Sequence, residues 1–291
     1  MDLLRDLFLG IVQGIIGFMP VSSMGHIVLL GRIYKMDADY MNLLICFLKI
    51  GSLAAIIIVM FKDIMKIIIG AFQLIMDVFS NVIIFFKKLA GVDKDGYYVL
   101  DTNPYKRLVL MLIVSSAATC VTSLLLKSVA DNSFEIPLMT GICFIVCGVI
   151  VIFAERLADG KKALRNMGAF DATLIGVAQG LAIMPGISRV ALIYAMSRAL
   201  GYSRNNSIRY TYLLSIPAIV GYSLLSIHGL AGTAVSVSGL INILASTVVC
   251  IVFSCLFIKL MLNIVKKGSL IPFALYGLGI GSFVTAFSIL F

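Results

Sequence analysis

Gly10-Ile-Val-Gln13-Gly14, running on to Phe18-Met19-Pro20-Val21-Ser22-Ser23, has a partner far along the chain. That partner is Gly176-Val-Ala-Gln179-Gly180, running on to Ile183-Met184-Pro185-Gly186-Ile187-Ser188-Arg189. The two Gln-Gly pairs and the two Met-Pro pairs keep the same separation along the chain to within a single position. Each copy is an apolar run broken near its middle, and each half is shorter than the roughly 20 residues a membrane-spanning helix needs. Broken backbone survives at membrane depth only when buried in protein or lining a wet cavity. The segments, about 3–33 and 168–201, therefore read as two re-entrant helix–loop–helix hairpins, with two kinked full spans as the alternative. Interrupted helices repeated in matching halves point to a buried binding site where they meet.

The rest of the chain fits that setting. It has 291 residues, 61% hydrophobic and 13% charged, with a mean hydropathy of +1.09. Soluble domains have roughly 45–50% apolar and about 25% charged residues. The fold class is thus an all-α integral membrane protein. Six stretches, about 41–61, 106–127, 134–154, 208–227, 238–261 and 271–290, are apolar enough to span. The stretch 64–86 carries Lys66, Gln73, Asp77 and Asn81. It reads as an amphipathic or interfacial helix, with a seventh span as the alternative. The whole of 1–291 forms one polytopic domain, with inverted-repeat halves of about 1–127 and 134–291 and a cytoplasmic insertion at about 62–105. Met1-Asp2-Leu3-Leu4-Arg5-Asp6 lacks the basic start of a cleavable signal, so the first apolar run is expected in the mature protein.

A net charge of +9 raises the question of nucleic acid, and loop topology answers it. With re-entrant hairpins, 17 of the 23 Lys and Arg fall on one side. Seven lie in 62–107, four in 155–171, three in 198–209 and three in 259–267. Arg5, Arg32, Lys35 and Lys127 fall on the other side, and Lys49 and Arg189 lie within the membrane. Cytoplasmic loops carry the excess of Lys and Arg, so both termini are expected outside and no nucleic-acid partner is needed. The first hairpin then opens outward and the second toward the cytoplasm. The six cysteines all sit in apolar runs, where free thiols act as small packing groups.

Cationic groups buried in a membrane are costly and mark functional sites by default. His26, Lys49 and Arg189 are such groups; His228 reads as interfacial. Arg189, at the second break, has the planar fork that suits phosphate oxygens. A half-helix starting there also aims backbone N–H groups at an anion. Ser23 and His26, three residues apart at the first break, share a helix face, as a Ser nucleophile with a His base requires. Ser22 and Ser188 accompany them, Lys49 sits mid-span, and the repeat glutamines Gln13 and Gln179 join the phosphate-binding set. Together they describe a cationic, hydroxyl-bearing site under apolar helices, suited to a phosphate on a lipid tail.

Five motifs in order resemble the bacterial undecaprenyl-diphosphate phosphatases, the bacitracin-resistance family. They are Pro20-Val-Ser-Ser-Met-Gly-His26, Gly51-Ser52, Pro185-Gly-Ile-Ser-Arg189, Leu213-Leu-Ser-Ile-Pro217 and Ile271-Pro-Phe-Ala-Leu-Tyr276. The resemblance implies six spans with two inverted re-entrant hairpins in the bacterial plasma membrane, and removal of one phosphate from undecaprenyl diphosphate, the lipid carrier of peptidoglycan synthesis. It implies Ser23 as nucleophile or phosphate ligand, His26 as base or orienting group, and Ser188 and Arg189 as a diphosphate clamp. It also implies a divalent cation, Mg²⁺ or Ca²⁺, on two acidic residues, and it leaves a homodimer open. Those two acidic positions are Gln13 and Gly17 here, Lys49 stands where the family has Gln, and Met24 stands for a usual Thr. Hard cations need oxygen anions, so these changes weaken metal-assisted hydrolysis and preserve phosphate binding. The alternative is a relative that binds or translocates a polyprenyl phosphate without hydrolysing it. A solute transporter on the same scaffold fits the retained Ser22, Ser23, His26, Ser188 and Arg189 less well.

Overall fold

A computed structural model describes residues 2–91, 96–101, 103–229 and 236–290. Among them the chain forms eleven α-helices and no strand: α1 (Asp2–Ile16), α2 (Ser23–Ile33), α3 (Ala38–Val59), α4 (Phe61–Leu89), α5 (Pro104–Glu135), α6 (Pro137–Arg156), α7 (Ala169–Leu181), α8 (Arg189–Ala199), α9 (Arg204–Gly229), α10 (Val237–Lys267) and α11 (Ile271–Leu290). Seven of them, α3, α4, α5, α6, α9, α10 and α11, are long and apolar enough to cross a membrane.

At 1.5 Å per residue, α1, α2, α7 and α8 reach only about 16–23 Å, short of the roughly 30 Å hydrocarbon core. The pairs α1–α2 and α7–α8 therefore fit the expected re-entrant hairpins. Packing repeats with them: α1 lies along α10 as α7 lies along α5, α3 meets α9, and α6 runs against α11. Small residues at helix interfaces let backbones approach in membranes. A Cβ at Gly10 would stand 2.5 Å from the Ser246 carbonyl oxygen, and its repeat counterpart Gly176 is pressed against the Ser115 carbonyl.

The helix α4 takes up the stretch expected to be amphipathic, and it meets the length and hydropathy criteria of a span. Three of its contacts with the bundle lie seven positions apart. Asp63 pairs with Arg209 at 2.6 Å, Gly70 lies against Tyr105, and Asp77 pairs with Lys106. These contacts spread over about 21 Å of α4, yet all fall near the N-terminal ends of α9 and α5. The other face of α4, including Ile68, Phe72, Ile75 and Phe79, is exposed.

Candidate functional site

Both hairpins turn at Pro and restart at a serine. Ser22 caps α2 by accepting from the Gly25 N–H at 3.2 Å, and Ser188 caps α8 by accepting from the Ala191 N–H at 3.3 Å. Serine does this because its short hydroxyl reaches an amide of the first turn that has no intrahelical partner. The first helical residue is then Ser23 in α2 and Arg189 in α8, at equivalent positions of the repeat. The next amides, of Ser23 and Met24 and of Arg189 and Val190, have no partner among the described residues.

The two breaks touch. The Ser188 hydroxyl donates to the Met19 carbonyl at 3.4 Å, and a Cβ on Gly25 would stand 2.9 Å from the Gly186 nitrogen. Tyr212 on α9 holds the first break by donating to the Phe18 carbonyl at 3.0 Å. The sequence repeat thus becomes a place where two half-helix N-termini meet, each contributing the positive end of a helix dipole.

His26 is buried, with both ring nitrogens engaged. Nδ1 lies 2.6 Å from the Ser22 carbonyl oxygen, and Nε2 lies 2.8 Å from the Tyr276 hydroxyl. A carbonyl only accepts, so Nδ1 carries the proton and Nε2 of the neutral ring is the acceptor. Phe144 meets the ring edge-on at 4.9 Å, and Tyr276 lies parallel to it at 5.7 Å between centroids. No hydrogen bond joins Ser23 to His26 among the described residues, so the expected pair is not preformed. Tyr276 belongs to the last of the five sequence motifs, but nothing near it in the chain assigns it a role. Its partner lies almost the whole length of the chain away, and such a contact has no local sequence signal.

Lys49 and Arg189 are half-buried and make no ion pair among the described residues. The Arg189 Nε is buried without a partner. Lys49 is close enough to Arg189 to feel its charge. Two cations held near each other without a carboxylate leave an anion as the group that completes the site.

The glutamines divide. Gln13 is buried, donates from Nε2 to the Ser52 hydroxyl at 3.1 Å, and leaves Oε1 without a partner. Gln179 has both ends engaged: Oε1 accepts from Thr119 at 3.3 Å, and Nε2 donates to the Leu214 carbonyl at 3.4 Å. It therefore ties α7 to α5 and α9. The side chain of His228 lies outside the described residues.

A divalent cation does not suit this donor set. No Asp or Glu occurs in 7–36, 40–61 or 172–203, the segments that carry the site. Among the described residues no cluster of three or more His, Cys, Asp or Glu is placed to hold a metal. Neutral oxygens beside a Lys and an Arg do not make the anionic oxygen shell that Mg²⁺ or Ca²⁺ takes. The residues present do not fit that cation.

Known proteins place the chain. Residues 6–283 match the model of the family described as bacitracin resistance protein BacA. An undecaprenyl-diphosphatase of Methanosphaera stadtmanae is 35% identical over 276 residues, covering 95% of this chain and 94% of the relative. One from Alkaliphilus metalliredigens is 29% identical over 290 residues, covering both chains completely. Undecaprenyl-diphosphatase 1 of Shouchella clausii is 30% identical over 278 residues, covering 95% of this chain and 93% of the relative. Paired broken helices, serine-capped restarts, a buried histidine and a match along nearly the whole length lead to one conclusion: the chain belongs to the bacitracin resistance protein BacA family.

Proposed function

We propose that this chain is a multi-pass membrane phosphatase that hydrolyses undecaprenyl diphosphate to undecaprenyl phosphate and inorganic phosphate. The observation that carries the reading is the meeting of the two half-helix N-termini, with Ser23 and Arg189 at equivalent first positions and Lys49 within electrostatic range of Arg189. That arrangement concentrates amide dipoles, a hydroxyl and two cations where a diphosphate would sit.

In this reading Arg189 and Lys49 hold the phosphate oxygens, and the first-turn amides of α2 and α8 supply further donors. Ser22 and Ser188 set the two helix starts. The Ser22 carbonyl fixes the His26 tautomer and leaves Nε2 as the basic nitrogen. With the Tyr276 hydroxyl displaced, Nε2 takes the proton from the attacking hydroxyl, that of Ser23 or of water. The new bond forms to the terminal phosphorus, the bond from that phosphorus to the bridging oxygen breaks, and undecaprenyl phosphate leaves with that oxygen. If Ser23 attacks, water then releases phosphate from the serine. Arg189 faces the charge that develops on the bridging oxygen. Both termini lie outside, the first hairpin opens outward, and the reaction faces outward.

The second reading is a relative that binds or moves polyprenyl phosphate without hydrolysis. Gln13 and Gly17 favour it, because no carboxylate is present to manage protons at the site. Phosphate release from undecaprenyl diphosphate by the purified protein decides between the two. Release that Arg189→Ala lowers by about 10²–10³ supports the phosphatase. Binding of the lipid without release supports the second reading.

A further inference from the structure

Repeat symmetry does not explain Lys49: its counterpart in the second half, Ser215, is a buried residue bonded to the Thr211 carbonyl within its own helix. Lys49 is the twelfth residue of the 22-residue helix α3, at mid-span. A lysine there cannot reach an interface without leaving the protein interior, so snorkelling does not account for it. One helical turn on, Ser52 accepts from Gln13 and donates to the Leu48 carbonyl at 3.0 Å. Lys49 and Ser52 therefore share the helix face turned toward the first hairpin.

The opposite wall shows why a metal ligand is missing. Gly17 follows the last turn of α1, and the space over its Cα is filled by Gln13. A Cβ there would stand 2.5 Å from the Gln13 carbonyl oxygen and 2.9 Å from its Nε2. A carboxylate at 17 does not fit unless Gln13 moves. The carboxamide of Gln13 is itself locked to Ser52, with Oε1 buried and unpaired. An acceptor of that kind suits a donor such as an ammonium or a phosphate-bound proton. It adds no negative charge for a divalent ion. Charge, packing and donor type all point away from a divalent cation here.

We propose that this site holds its phosphate group without a divalent cation, the Lys49 ammonium supplying, together with Arg189, the positive charge. The proposal rests on the polyprenyl-phosphate reading above, and its test separates the two. Binding of undecaprenyl phosphate by the native protein is measured in EDTA and in millimolar Mg²⁺, with Lys49→Gln and Lys49→Arg alongside. Expected are binding in EDTA that Mg²⁺ changes less than about twofold, a loss of about tenfold or more in Lys49→Gln, and retention in Lys49→Arg. One buried charge contact to a phosphate accounts for a loss of that size. The thiol-reactivity melting profile of each variant, read from buried Cys46, Cys143, Cys147 and Cys250, shows that it is folded. Binding that needs Mg²⁺, or that Lys49→Gln leaves unchanged, overturns the proposal while the site reading stands. Absence of binding in both media overturns the two together. The variant Gln13→Glu with Lys49→Gln sharpens the result: binding that becomes Mg²⁺-dependent supports the charge exchange, and binding in EDTA as tight as native contradicts it.

Discussion

The two hairpins are built by the same rules and finished differently. In both, glycines seat the first helix on a long neighbour, a proline stops it, and a serine restarts the second. In both, an arginine follows near the end of the second helix: Arg32 in α2 and Arg198 in α8, again at equivalent positions of the repeat. In both, a left-handed residue closes that helix, Lys35 with φ 49° and Gly201 with φ 89°. Arg198 is buried. It donates to Asp159 at 2.8 Å and to the carbonyls of Leu157, Ala158 and Tyr202. Nearby, Arg204 pairs with Glu155 at 2.5 Å, and Tyr202 donates to Asp171 at 2.6 Å. Arg32 is exposed and, among the described residues, holds the Phe134 carbonyl alone. Beside it lies a cavity of about 510 Å³ lined by Met24, Arg32, Lys35, Met41, Asp131 and Tyr222. One hairpin is anchored by a network and the other borders an open cleft. The cleft reaches Met24, next to Ser23, so the less tethered hairpin is the one that carries Ser23 and His26.

The comparison can be broken at its centre first. If the N-terminal positions of α2 and α8 are a matched pair, Ser23→Ala cuts phosphate release by about 10²-fold while lipid binding changes severalfold at most. Equal losses in both would make Ser23 a binding group only. Next come the two arginines. Arg198→Met leaves carbonyls of the 157–159 turn without a donor and is expected to cost about 2–3 kcal/mol. Arg32→Met, at an exposed contact, is expected to cost about 0.5 kcal/mol or less. Melting profiles followed through thiol exposure compare them, and equal shifts would mean that the two hairpins are tethered alike. The anchored side is tested again at Tyr202. Burial, then the hydrogen bond and charge of Asp171, push its phenol above the ordinary value of 10.0. A raised acidity constant means the folded state keeps the proton. The contribution is therefore fully present below about pH 10 and fades only as pH rises toward the folded value. Tyr202→Phe is expected to cost about 1 kcal/mol, constant between pH 6 and 9. A difference that falls within that window would contradict the Tyr202–Asp171 bond.

Much of the architecture was legible in the sequence. Apolar length placed the spans, because a bilayer demands about 20 residues whatever the protein. The repeat placed both hairpins within a few residues, since Pro and Ser act locally on the helices they stop and start. Less legible was α4. It meets the length and hydropathy criteria of a span, and the distant partners of its Asp63, Gly70 and Asp77 at the ends of α9 and α5 have no signal in its own stretch of sequence. Gln179 was legible as polar and buried, but its partners Thr119 and Leu214 were not.

Taken alone, the sequence determined the membrane setting, the two broken helices, their serine caps and the cationic residues Lys49 and Arg189. These follow from composition, periodicity and chain-local stereochemistry. Tertiary structure alone decided which of the buried polar groups work together. It brought the break at 17–22 against the break at 182–188, set Tyr276 on the Nε2 of His26, filled the space over Gly17 with Gln13, and tied Gln179 into the scaffold. The reason is physical. Most of those outcomes are contacts between residues distant in the chain, set by how helices pack, and no residue announces in its own neighbourhood which distant group it will meet. The position of the Gln13 carboxamide over Gly17 likewise draws on Ser52, from another helix, which accepts from its Nε2.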